Sequence, residues 1–223
     1  MTPPPGLVIF DCDGVLVDSE PIATRILLDT LAAAGLTLAP EVADDRFLGR
    51  SLASTVEILA EDFGVRLDDA ALQAMRARLY AAFRAELRPI ARVAVAIDAI
   101  ACPICVASSS QLERIELSLR TTGLWDRFDG HVFSATMVSR GKPAPDLFLY
   151  AARAMGFAPG ACLVVEDSPA GVQAALAGGM RVVGFVGGAH AQSSAHRAAL
   201  TALGPDRVIE DMRALPGIVN GED

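Results

Sequence analysis

Asp11 and Asp13 stand two residues apart in Asp11-Cys12-Asp13-Gly14, directly after the apolar run Leu7-Val8-Ile9-Phe10. In extended chain, residues two apart point to the same side. Two carboxylates can thus face one site, and Gly14 permits a sharp exit from the strand. A carboxylate can attack phosphorus and carry the phosphoryl group, which suits Asp11. A neighbouring carboxyl group can protonate a leaving oxygen and then activate water, which suits Asp13. A second acidic pair, Glu166-Asp167, follows another apolar run, Leu163-Val164-Val165. Acids crowded at one edge repel each other unless a cation compensates. Oxygen ligands favour a hard cation, and Mg²⁺ suits phosphate chemistry. Taken singly, each pair also reads as a polar turn, and Asp167 with Ser168 also reads as a helix cap.

Lys142 lies in Arg140-Gly141-Lys142-Pro143-Ala144-Pro145-Asp146, an irregular segment before a helical pattern. A lysine held there can balance carboxylates and a phosphoryl oxygen, although a solvated surface lysine fits the same residues. Ser108-Ser109-Ser110 follows the run Ile104-Cys105-Val106-Ala107. Ser108 and Ser109 offer a hydroxyl and backbone N–H groups near a helix start, which can cradle phosphate or merely cap the helix. A serine-hydrolase reading fails, because no Gly-x-Ser-x-Gly elbow is present.

Parallel strands would position these residues. The runs 7–10, 104–107, 163–165, 182–185 and 208–209 read as strands buried on both faces. Helical patterns at 112–122, 145–155 and 170–177 alternate with them, the last opened by Ser168 as N-cap and Pro169 in the first turn. Strand–helix alternation predicts an α/β fold with a parallel sheet, whose ligands sit at the carboxyl ends of the strands. Between Pro21 and Leu87 the pattern changes to amphipathic helices at 22–34, 52–63 and 69–84, separated by turn signals at Gly35, Pro40, Gly49 and Gly64. That segment reads as an insertion placed above the strand ends.

The bulk numbers agree with such a protein. The 223 residues are 52% hydrophobic but only 5% aromatic, so the core is aliphatic and rich in alanine. The net charge of −8, with no basic run, disfavours nucleic acid as a partner. The most apolar stretch, Val93 to Ala107, is broken by Asp98 and Pro103 and is too short for a membrane span. No charged segment followed by an apolar one opens the chain, so a cytoplasmic location is expected. Cys102 and Cys105 form a Cys-x-x-Cys beside and inside an apolar run, and read as small buried hydrophobes rather than a redox or zinc pair.

In this order, the segments Phe10–Glu20, Ser108, Gly-Lys-Pro-Ala-Pro-Asp around Lys142, and Glu166-Asp167-Ser168-Pro169-Ala170-Gly171 resemble the four motifs of the haloacid dehalogenase superfamily. The resemblance runs from Leu7 to about Gly188, and the nearest branch is that of β-phosphoglucomutase and its phosphatase relatives. It implies a Rossmann-like core of residues 1–17 and 88–223 with helices on both faces, and a helical cap at 18–87. It implies Mg²⁺ held by Asp11, the backbone carbonyl of Asp13 and Asp167, with Glu166 close by. Asp13 points to phosphate esters, because the dehalogenase and phosphonate-cleaving members lack an acid there. The expected activity is hydrolysis of a small phosphorylated metabolite, a sugar phosphate by analogy with the branch, by a monomer or weak homodimer. Arg50, in Phe47-Leu48-Gly49-Arg50-Ser51, could meet substrate oxygens from the cap. The mutases' cap histidine and arginine fall on Ala23 and Leu52, which counts against a sugar-phosphate mutase. Intact Asp11, Asp13, Lys142 and Asp167 count against a non-catalytic phosphometabolite-binding protein. At Arg92 relatives often place a glycine, a departure without a functional account.

Overall fold

The computed structural model describes residues 3–192 and 194–221. Four buried apolar residues form the first strand, β1 (Leu7–Phe10). Four helices follow before the next strand: α1 (Glu20–Ala33), α2 (Pro40–Phe47), α3 (Leu52–Asp62) and α4 (Asp69–Glu86). A short helix α5 (Val93–Asp98) leads into β2 (Ile104–Ser108). Strand–helix alternation then runs through α6 (Leu112–Thr121), β3 (Val132–Ser134), α7 (Asp146–Ala154), β4 (Cys162–Glu166), α8 (Pro169–Ala177) and β5 (Arg181–Phe185). It finishes with α9 (Ser194–Ala202), β6 (Arg207–Ile209) and α10 (Leu215–Asn220).

All six strands are parallel, in the order β3-β2-β1-β4-β5-β6. This is the Rossmann-like order, with β1 at the point where the winding reverses. Successive side chains of β1 go to opposite faces, as the pleat requires. Val8 and Phe10 join a core cluster with α1, α4, α5, α6 and α10, while Leu7 and Ile9 join a second cluster with α7, α8 and α9. Helices therefore cover both faces. Burying a Leu, Val or Phe side chain fully is worth about 1.5–3 kcal/mol, so these two clusters dominate the folding energy.

The helices α1 and α4 share the first of these clusters through Ile22, Ile26, Met75, Leu79, Tyr80 and Phe83. A third cluster is separate: Leu31 of α1, Ala43 and Phe47 of α2, and Leu59 of α3. The chain leaves for the four helices and returns through paired backbone, where Asp18 N donates to Arg88 O at 3.0 Å and Val17 bridges Pro89.

Several elements differ from the sequence reading, which named no helix at α2, α5, α9 or α10. Pro40 opens α2 rather than marking a turn, since proline is tolerated in a helix's first turn. Strand β3 has no expected counterpart, because three residues carry too little periodicity to be read. The Cys-x-x-Cys divides between faces: Cys105 lies in one core cluster and Cys102 packs against the other. Burial pushes both thiols up, as inert small hydrophobes require. Among the described residues no helix is long and apolar enough to cross a membrane.

Arg92 finds a backbone explanation. It precedes α5 with φ of 64°, in the left-handed region where a Cβ costs about 1–2 kcal/mol. Its guanidinium reaches Asp211 only at 3.5 Å, with more than half of the side chain exposed. Arg92→Gly is therefore expected to raise stability by about 0.5–1 kcal/mol, the relieved strain less the entropy that glycine costs. Urea titration of the two proteins would measure it, and a lower midpoint for the glycine variant would contradict the assignment.

Candidate functional site

Parallel pairing sets the site by register. Phe10 lies opposite Val165, so the next residues, Asp11 and Glu166, leave the sheet at the same level. Asp11 N still donates to Val165 O at 3.0 Å, which fixes where its side chain starts. Asp167 follows immediately. Oxygens of Asp11, Glu166 and Asp167 lie within 4.8 Å of one another, and all three residues are buried.

Lys142 answers part of that charge. It comes from the loop before α7, and its side chain is 1% exposed. Nζ donates to Asp11 Oδ1 and to Glu166 Oε1, each at 2.6 Å. The same ammonium stands 4.7 Å from the centre of the Phe148 ring. Burial would discharge the lysine, but the two carboxylates outweigh it and raise its pKa above the ordinary value. The sequence reading left open a surface lysine here; the structure excludes it.

Glu166 is fully engaged. Besides Lys142 it accepts bonds on Oε2 from Ser168 N at 2.7 Å and Ser168 Oγ at 3.0 Å. Ser168 Oγ in turn accepts from Gly171 N at 3.1 Å and caps α8. Glu166 thus fixes the lysine and the capping loop, and its place in the expected metal set is beside the ion.

The donor set suits a divalent cation. Three buried carboxylates face one lysine. Burial pushes the Asp11 carboxyl well above the usual range, Lys142 pulls it down, and Glu166 and Asp167 push it up again. Keeping all three carboxylates ionised takes more positive charge than Lys142 alone supplies. Hard oxygen donors at this spacing fit Mg²⁺ rather than a soft metal.

Asp13 has the opposite surroundings. Oδ1 accepts from Ser19 Oγ at 2.6 Å and Arg114 Nη2 at 2.8 Å, and Oδ2 accepts from Ser110 Oγ at 2.6 Å. Burial alone would raise its pKa; the guanidinium and the two hydroxyls outweigh that and hold it below the ordinary value. Ser19 precedes α1 without capping it, because its hydroxyl serves Asp13. Arg114 of α6 lies over the Phe83 ring at 5.3 Å.

Ser108, Ser109 and Ser110 form the loop beyond β2. Ser110 N donates to Ser108 Oγ at 3.2 Å, and Ser134 at the end of β3 donates its hydroxyl to Ser110 O at 2.7 Å. The short strand β3 thus ties down the serine loop. Asp11, Asp13, the three serines and Arg114 form the floor of a solvent-open cleft of roughly 790 Å³. Its walls are Glu20, Ala23 and Thr24 of α1, Leu48, Gly49 and Arg50 of the α2–α3 loop, Leu52 and Thr55 of α3, and Met75 and Leu79 of α4.

Every residue singled out in the sequence reaches this region, Arg50 at the exposed rim and the rest at the strand ends. Sequence reasoning missed Ser19, Arg114 and Glu20, and the histidines His190 and His196 beside Asp167. Ser110 was visible in the serine run; the others touch the site only through tertiary approach.

Comparison with known proteins agrees with this geometry. A family model described as haloacid dehalogenase-like hydrolase matches residues 5–179. The 6-phosphogluconate phosphatase of Escherichia coli K12 is 34% identical over 190 residues, covering 85% of this chain and 86% of that protein. A haloacid dehalogenase-like protein of unknown function from Agrobacterium tumefaciens superposes with a TM-score of 0.82 at 34% identity, over 97% of this chain and 98% of the other. A hydrolase of the same family from Deinococcus radiodurans, solved with bound phosphate and sodium, gives a TM-score of 0.74 at 32% identity, over 98% and 96% of the two chains. The matched span runs from before β1 to beyond Asp167, the relatives cover the chain nearly end to end, and this protein is a phosphatase belonging to the haloacid dehalogenase-like hydrolase family.

Proposed function

We propose that this protein hydrolyses a sugar phosphate or related polyol phosphate, with Asp11 as the nucleophile and Mg²⁺ as cofactor. The observation that carries the reading is the buried cluster of Asp11, Glu166 and Asp167 with Lys142 at 2.6 Å from Asp11. Asp11, the backbone carbonyl of Asp13 and Asp167 would hold the ion. When bound, it would neutralise charge on the phosphoryl oxygens and keep Asp11 ionised.

The chain's own residues then divide the work. Asp11 attacks phosphorus in line with the ester oxygen and becomes an aspartyl phosphate. Lys142 and the Ser108–Ser109 loop hold the equatorial oxygens, which is positioning and charge compensation rather than bond chemistry. Asp13 is kept as a carboxylate, the form that takes a proton from water in the second step. The first step needs it protonated. Bringing the phosphate's charge beside it raises its proton affinity, so substrate itself prepares the acid.

The cleft walls support the substrate class. Glu20, Thr24, Thr55, Arg50 and Arg114 offer donors and acceptors for hydroxyl or carboxylate groups among apolar side chains. The E. coli relative acts, by its name, on 6-phosphogluconate. Ala23 and Leu52 line the same cleft and have no ionisable group, so these two positions supply no acid or base for a mutase. In this reading residues 18–87 act as the cap, and its α2–α3 loop sits directly on the core: a Cβ at Gly49, whose φ is 70°, would lie 2.5 Å from Ser168 Oγ.

Phosphate release from a panel of phosphorylated sugars, polyols and aldonates, with Mg²⁺ and with EDTA, tests the proposal directly. Release is expected only with Mg²⁺, and Asp11→Asn is expected to abolish it while the fold persists. No release from any compound by folded, Mg²⁺-loaded protein would refute the reading. Asp13→Asn should lower kcat by about 10²–10⁴-fold, the usual worth of an acid–base group. Loss confined to KM would instead make Asp13 a binding residue. Gly49→Ala should lower kcat/KM by roughly tenfold or more, because the loop can no longer seat on Ser168. Steady-state kinetics of the variant would show this, and wild-type values would mean the loop does not close on the core during turnover.

A further inference from the structure

Asp167 is approached from a side that the proposed reaction does not use. His190, in the segment after β5, places its Nε2 2.7 Å from Asp167 Oδ2, with the two side chains 2% and 3% exposed. Both ring nitrogens are buried and meet no hydrogen-bond partner of good alignment among the described residues, so the ring meets Asp167 as a short N···O contact at Nε2.

The slot is built to the ring's dimensions. A Cβ at Gly14 would lie 2.8 Å from His190 Cε1 and 2.0 Å from Asp167 Oδ2. A Cβ at Gly188 would lie 2.7 Å from His190 Cε1 and 2.9 Å from Nδ1. Two glycines on opposite segments therefore leave room for an imidazole against this carboxylate. A second histidine supports the first: the His196 ring, at the start of α9, packs edge-to-face on His190 with centroids 5.5 Å apart. His196 Nε2 lies 2.8 Å from the backbone carbonyl of Asp167. One residue is held at both its side chain and its carbonyl by two rings in contact.

We propose that His190, supported by His196, is a positioning residue that sets the orientation of the Asp167 carboxylate for Mg²⁺. This rests on the metal assignment made above. A carboxylate that gives one oxygen to a metal needs a partner on the other, and such outer partners fix the ligand's direction. The imidazole, which does not line the substrate cleft, supplies that partner. Neither histidine takes part in phosphoryl transfer.

Metal binding without substrate tests the idea. Mn²⁺ would be titrated into the full-length protein and free ion followed by electron paramagnetic resonance, with Asp167→Asn as the control that loses binding. His190→Ala should weaken binding by about 10–100-fold, the usual effect of removing such a partner. His190→Gln, which restores an N–H donor, should recover part of that loss, and His196→Ala should weaken binding less than His190→Ala does. The substrate KM at saturating Mg²⁺ should stay at the wild-type value, which a general structural defect would not allow. Should His190→Ala not fold, His190→Leu, which fills the slot without a donor, takes its place: unchanged Mn²⁺ affinity there overturns the proposal. Wild-type-like affinity in a folded His190→Ala protein overturns it too, and leaves the phosphatase reading intact. Wild-type protein that binds no Mn²⁺ overturns this proposal and the metal assignment together, a result told apart from the first by the wild-type titration itself.

Discussion

Three carboxylates are buried within 4.8 Å of one another at the carboxyl edge of a parallel sheet, and one lysine faces them. Unlike a pair at the surface, these charges have little water to screen them, so their repulsion acts at a low effective dielectric. The rest of the site follows from this excess. It explains why Lys142 is buried at all, why Glu166 is tied by Ser168 as well as by the lysine, and why the three carboxylates could hold a cation. The sheet enforces the arrangement because parallel strands all end at one edge, and the β1–β4 register puts Asp11 level with Glu166. An antiparallel neighbour would have sent one of the two acids to the opposite end.

Asp11 and Asp13 are two residues apart and electrostatically opposite. Burial drives Asp11 upward beside other acids, while Arg114, Ser110 and Ser19 hold Asp13 down against its own burial. Groups whose surroundings push their proton affinities apart are those that can take distinct roles. The partners also differ in origin. Those of Asp11 come from the end of β4 and the loop before α7, whereas Ser19 lies at the entry to α1 and Arg114 of α6 rests on Phe83 of α4. Asp13 is thus one place where the helices before β2 meet the cleft floor.

The parts legible in the sequence were those coded locally. Apolar runs gave five of the six strands, two of them leading into the acids Asp11 and Glu166, and Ser168-Pro169 marked the start of α8 because capping needs only adjacent residues. Strand β3 escaped because three residues carry no period, yet it holds the serine loop through Ser134. Arg114 looks in sequence like any helical arginine; its partner lies 101 residues away. His190 and His196 carry no local pattern either, since their target, Asp167, is reached only after β5 and α9 have packed beside β4. Arg92 shows the converse: the departure was visible as a residue, and only the backbone angle of 64° showed what it costs. What pairing and capping dictate could be read, and what long-range approach dictates could not.

Packing separates selection from chemistry. The helices α1 and α4 share one apolar cluster with the sheet, so the cleft floor and the two helices nearest it form a single packed unit. The helices α2 and α3 instead bury Ala43, Phe47 and Leu59 in a cluster of their own, tied to the rest through Leu31 of α1. The α2–α3 loop, which carries Gly49 and Arg50 over the cleft, is thus anchored in the smaller cluster. Close-packed interiors resist piecemeal change, so residues sharing a cluster with Phe10 cannot vary without disturbing the strand that presents Asp11. Residues on the smaller cluster are free of that constraint. The α2–α3 loop can therefore change without moving the strand that carries Asp11, whereas the cleft walls on α1 and α4 cannot.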